Sequence, residues 1–179
     1  MTSEGVQDYF RIFGLPVSFD IDSNLIAERY RDLQRAVHPD RFARASDKER
    51  HQSVVQAANI NEAYQTLKSP LKRARYLLQL KGVVFDDEKE TTFAPEFLME
   101  QLELREALAE VRGRSDSFEA VSSIINDINQ RIAAMLDAFQ RALAGNDLAE
   151  AKQIVQKLQF LNKLKQESED IEAELADAL

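Results

Sequence analysis

Apolar residues recur along this chain at helical spacing, in stripes separated by short polar breaks. In "FDIDSNLIAERYRDLQRAV", Ile26, Tyr30, Leu33 and Val37 follow at steps of four, three and four, one face of a helix that Asp22 or Ser23 would cap. A shorter helix at about residues 8–13 precedes it, stopped by Gly14 and Pro16. Pro39 biases His38 away from the α region, so the stripe ends there. A long helix resumes after Ser46 or Asp47, with Ala57, Ile60, Tyr64 and Leu67 as its stripe, and runs to about Lys68. Pro70 fits the first turn of a further short helix closed by Gly82. Residues 83–94, "VVFDDEKETTFA", show no period and read as a linker.

Three longer helices are predicted beyond it. One runs from Pro95 to about Arg112 and stops at Gly113. In the next, Phe118, Val121, Ile125, Ile128, Ile132, Met135, Phe139 and Leu143 step by threes and fours, the mark of a packing seam, and Gly145 ends it. The last runs from about Asp147 to near the end, with Leu148, Ile154, Val155, Leu158 and Leu161 on one face. Short connections between three such helices predict an antiparallel bundle. The expected fold class is all-α.

Composition agrees, since glycine and proline number only 5 and 4. There is no cysteine, which removes disulfides, thiolate metal sites and thiol nucleophiles. The N-terminus has no basic region followed by an apolar run, and no window holds the 18 or so apolar residues of a membrane span. A cytoplasmic protein is expected. The net charge of −8 is uneven: residues 1–82 carry 13 basic and 10 acidic side chains, and residues 83–179 carry 10 and 21. A net +3 half and a net −11 half suggest different partners, and the acidic balance argues against nucleic acid.

The break at "VHPDRF" leaves three readings open. It can be a plain helix–helix turn, since proline stops helices and aspartate forms turns. It can hold a general base, His38 oriented by Asp40, but the nucleophile and oxyanion donors such a site needs have no signature here. It can be a contact device, a turn rigidified by Pro39 that presents His38 and Asp40 at little entropic cost. Arg31 and Arg35 lie opposite the apolar stripe, Arg29 at its flank, and Arg41 and Arg44 beyond the turn. Glu28 and Asp32 partly neutralise this surface, which would steer an acidic partner. His51, on the next helix, reads as a solvated residue.

The run "YRDLQRAVHPDRF…INEAYQTLKSPLKRARYLL" resembles a J-domain over roughly residues 8–76. The resemblance implies docking to a DnaK-class chaperone and stimulation of its ATP hydrolysis. His38, Pro39 and Asp40 would form the stimulating loop, and Arg29, Arg31 and Arg35 would lie on the docking helix. Val37 and Arg41 depart mildly, standing where tyrosine and lysine are usual.

The acidic half lacks the glycine/phenylalanine-rich and zinc segments of general DnaJ-type proteins. It has "FLMEQLELREAL", a helix with two apolar faces: Phe97, Leu104, Leu108 and Val111 on one, Leu98, Met99 and Leu102 on the other. Glu103, Glu106 and Glu110 border the second face, and Phe160 sits off the centre of the last helix's apolar side. Packing on both sides, or an exposed strip for a partner, would each explain this.

"DYFRIFGLP", "FLMEQLELREAL" and "KLQFLNKL" extend the resemblance over nearly the whole chain, to the HscB-type J-domain co-chaperones of iron–sulfur cluster assembly. That implies an L-shaped molecule with a J-domain over residues 1–76, a helix end and linker over 77–94, and a scaffold-binding bundle over 95–179. Its partners would be the scaffold IscU and the chaperone HscA. Leu98, Met99, Leu102, Glu103, Glu106, Glu110 and Phe160 would form the scaffold site. The chain would be no enzyme and would carry no cofactor or metal of its own. A J-domain protein serving an unrelated client is the alternative.

Overall fold

Local chemistry sets most helix boundaries. The Asp8 carboxylate accepts from the Phe10 and Arg11 N–H groups and opens α1 (Tyr9–Ile12). Gly14 ends it at a φ of +58°, in the left-handed region that a side chain would resist. Asp22 caps α2 (Ser23–Val37), and His38 leaves the helix at a ψ of 131°. A single 3-10 turn spans Pro39–Phe42. Ser46 and Glu49 then form a reciprocal capping box at the start of α3 (Asp47–Lys68). Ser69 caps α4 (Pro70–Leu80), with Pro70 in its first turn.

This computed structural model describes residues 8–42, 45–86 and 94–177. Arg44 and residues 87–93 of the expected linker lie outside the described residues. The chain divides into two units, Met1–Gly82 and Val83–Leu179.

In the first unit, α2 and α3 form the hairpin that the two stripes predict. Ile26, Ile60 and Leu67 are buried between elements, and the Tyr30 and Tyr64 rings stack with centroids 4.1 Å apart. α1 lies on α3 and also reaches α4, where the Tyr9 N–H donates to the Tyr76 hydroxyl at 3.0 Å and the two rings stack at 4.7 Å. Burial, with a hydrogen bond to Glu62, pushes the Tyr9 hydroxyl pKa up to about 12. Leu77 and Leu78 are buried, so α4 belongs to this unit throughout.

The second unit comprises α5 (Pro95–Glu110), a 3-10 turn over Val111–Gly113, α6 (Ser117–Ala144) and α7 (Leu148–Asp177). A tight link through Gly145 and Asn146 returns α7 antiparallel to α6, with Asn146 at a φ of +56°. Glu100 pairs with Arg131 at 3.2 Å while Val111 packs near Val121, so α5 also runs antiparallel to α6. The shared core holds Leu104, Leu108, Val111, Val121, Ile125, Ile128, Leu161, Leu164 and Ile171.

One residue of the α6 seam departs from expectation. Phe118 is exposed, whereas Val121, Ile128 and Phe139 are fully buried. At 100° per residue it lies about 60° from the seam's mean direction and in the first turn, so the threes-and-fours pattern overextends the core by one step.

Arg73 explains how α3 and α4 are locked. Its guanidinium is buried, lies 4.8 Å from the Phe19 ring centroid, and donates from Nη1 to the Leu67 carbonyl at 2.6 Å. That carbonyl is among the last four of α3, which have no helical partner. Arg73→Met keeps the stem's packing but strands the carbonyl, and should cost about 1–3 kcal/mol in denaturant unfolding.

Candidate functional site

Two surfaces, one in each unit, carry the residues singled out above. The first is the turn after α2. His38 is 57% exposed at its side chain and Asp40 91%, so both are presented to solvent. The Asp40 N–H donates to His38 Nδ1 at 3.3 Å, and the Asp40 carboxylate lies 3.5 Å from the same nitrogen. These contacts suit different protonation states. A neutral ring accepts from the N–H with its proton on Nε2, whereas a protonated ring pairs with the carboxylate. In either state the imidazole is held against its own turn, whose Arg41 N–H also bonds the His38 carbonyl at 3.0 Å.

Of the cations around it, Arg31, Arg35 and Arg41 are exposed. Arg35 reaches Asp32 at 3.3 Å, an exposed pair worth a fraction of a kcal/mol. Arg29 is half-buried. Its Nη1 donates to the carbonyl of Phe13 and, at 2.8 Å, to that of Gly14, tying α2 to the end of α1. It stands on the same helix but spends one nitrogen on the fold. His51 is exposed, as its position suggested.

The capping box opens α3 four residues after the turn. Hydrogen bonds from the Ser46 hydroxyl and N–H hold the Glu49 carboxyl below its ordinary pKa. The cap's contribution to helix stability is therefore present above the ordinary carboxylate range and lost as pH falls through the lowered value.

The second surface is on α5. Its inner face buries Phe97, Gln101, Leu104 and Leu108. Leu98, Met99 and Leu102 are 47%, 59% and 52% exposed, and Glu103, Glu106 and Glu110 are exposed beside them. By helical angle these six fall in one sector about 140° wide. Phe160, from α7, is half-buried and meets Phe97 edge-on with centroids 6.1 Å apart. The Arg105 guanidinium lies 4.8 Å from its ring centroid, and the Lys157 ammonium lies 5.4 Å from that of Phe97. Sequence reasoning assigns no role to Arg105, Lys157 or Gln101. Arg105 was legible as one turn beyond Gln101 on the edge of the strip, but Lys157 reaches Phe97 only through the packing of α7.

The acidic rim suits a basic partner surface, and the apolar centre suits a partner with exposed aliphatic groups. Among the described residues no group of three His, Asp or Glu side chains could hold a metal ion. No described helix is long and apolar enough to cross a membrane.

Residues 93–169 match the family model described as the HSCB C-terminal oligomerisation domain, and residues 8–76 match the DnaJ domain. The chain is 43% identical over 168 residues to a co-chaperone protein HscB homolog of Vibrio cholerae serotype O1, spanning 94% of this chain and 98% of that one. The homolog from Vibrio atlanticus is 42% identical over 168 residues, with the same shares of each chain. Two solved structures are similar throughout. Chaperone HscB from Vibrio cholerae gives a TM-score of 0.86 at 41% identity, covering 94% of this chain and 99% of that one. The human co-chaperone protein HscB gives 0.85 at 31%, covering 93% and 82%.

Exposure separates the two faces of α5 in a way stability can read. Replacing Leu98, Met99 and Leu102 together with alanine should leave the thermal transition within a few degrees of wild type, because little packing is lost. Phe97→Ala, on the opposite face, should cost about 3–5 kcal/mol.

Proposed function

The chain belongs to the HscB family of J-domain co-chaperones, and from that premise we propose that it carries an iron–sulfur cluster scaffold of the IscU kind to a DnaK-class chaperone of the HscA kind and stimulates that chaperone's ATPase. The observation that carries this reading is the exposed Leu98, Met99 and Leu102 strip with its carboxylate rim, on the same chain as an exposed His38–Asp40 turn.

The mechanism is linkage. One chain holds the scaffold on α5 and meets the chaperone through the turn and the Arg31 and Arg35 face of α2. The second encounter becomes intramolecular, at an effective concentration of about millimolar for a short connection. The turn contributes shape: its own hydrogen bonds fix it before the chaperone arrives, so little ordering remains to be done on docking. The arginines contribute encounter rate with an acidic partner surface. Chemistry at phosphorus stays with the chaperone, and the cluster stays on the scaffold.

A second reading, self-association through the same strip, follows from the description of the matched C-terminal domain. A two-fold contact there would set Glu103, Glu106 and Glu110 against their own copies, and a unit of net −11 would face another. Like charges at that distance oppose the contact, so the scaffold reading stands first.

His38→Gln should abolish stimulation of the chaperone's ATPase while scaffold binding, read by calorimetry, stays within about twofold of wild type. Loss of both would mean that the turn supports the fold. A client other than the scaffold would show instead as normal ATPase stimulation with no scaffold binding at all.

A further inference from the structure

Gln101 is the one polar residue on the buried face of α5, and it is 3% exposed. Its Oε1 has no hydrogen-bond partner among the described residues. Buried amides are normally paired, and an orphan at a position that leucine would fill weakens the fold for no structural return. Positions that break a packing rule in this way are where a binding role is first sought.

Its surroundings say which role. Phe97, Gln101 and Arg105 form one i, i+4 row on α5, and successive members of such a row are neighbours. Phe160 touches both ends of the row, edge-on at Phe97 and beneath the Arg105 guanidinium. The ring therefore spans the row in whose middle Gln101 sits. On its other side the row borders Leu98, three residues back and about 60° round the helix, at the edge of the exposed strip. Glutamine has three rotatable side-chain bonds, so its amide can swing to the rim beside Leu98 without moving the helix.

We propose that Gln101 is a concealed member of the scaffold-binding surface, whose side-chain oxygen turns outward on docking and accepts a hydrogen bond from an N–H donor of the partner. This rests on the reading of Leu98, Met99 and Leu102 as the docking strip. The carboxylates of Glu103, Glu106 and Glu110 favour a lysine- or arginine-bearing partner surface, which is rich in such donors. In the free protein the side-chain oxygen has no partner among the described residues; in the complex it is paired. The difference favours the complex, and it gives the strip a polar test that an equally greasy but donor-poor surface would fail.

The test is Gln101→Met in the full chain, which keeps length and flexibility and removes only the amide. Thermal unfolding should shift upward by roughly 2–4 °C, while affinity for purified IscU, by calorimetry, should fall about tenfold, or about 1.4 kcal/mol. In the wild-type protein the Gln101 side-chain NH2 resonances, assigned by their loss in the variant, should shift on titration with IscU. Unchanged affinity, or resonances that do not move, overturns the proposal. A lower melting temperature together with weaker binding also overturns it, because the amide is then holding the bundle. The strip itself is tested in parallel by the Leu98, Met99 and Leu102 triple alanine variant. If that variant binds IscU normally, the docking reading fails; if it loses binding while Gln101→Met does not, only the present proposal fails.

Discussion

Helix α5 has two apolar faces and, among the described residues, packs only one of them. Phe97, Leu104 and Leu108 go inward against α6 and α7, and that choice leaves Leu98, Met99 and Leu102 in water. At about half exposure, each of these side chains forgoes roughly half of the 1.5–3 kcal/mol that full burial supplies. A helix selected only for stability would carry lysine or glutamate at those three positions. The acidic residues around the strip keep it dispersed in water and set the sign of what may approach. Everything proposed for the second unit follows from this one asymmetry.

The first unit solves a different problem. Its working part is a turn of a few residues that must hold its shape while exposed. Pro39 sets the backbone, the Asp40 and Arg41 N–H groups bond back to His38, and a capping box starts the next helix four residues after the 3-10 turn. Behind it, the Tyr30–Tyr64 stack and the Arg29 clasp on α1 keep α2 and α3 in register. The buried Arg73 closes the far end of the same hairpin. Rigid support behind an exposed turn is what makes a small contact informative to a partner.

Much of this was legible in the residue pattern. Helix existence, order and most caps followed from spacing, proline and the Ser/Asp/Gly punctuation, and the two faces of α5 followed from winding it. What was hidden depends on contacts between distant segments. Arg29 looked like a surface charge, and only the fold brings the Phe13 and Gly14 carbonyls within reach of it. Phe160 was visibly off its helix's core face, but its seat between Phe97 and Arg105 depends on how α7 packs. Gln101 reads as an ordinary helix former, and only the fold shows that its buried oxygen has no partner among the described residues. Phe118 shows the converse error, where an unbroken pattern runs past the end of the core.

The central claim is that each unit meets its own partner. Hydrogen–deuterium exchange on the full chain, with scaffold and with ATP-bound chaperone added separately, tests it directly. Scaffold should slow exchange along residues 98–110 and around Phe160 while leaving residues 29–42 unchanged, and chaperone should do the reverse. Protection of the His38 turn by the scaffold alone, or of the α5 strip by the chaperone alone, would contradict the account.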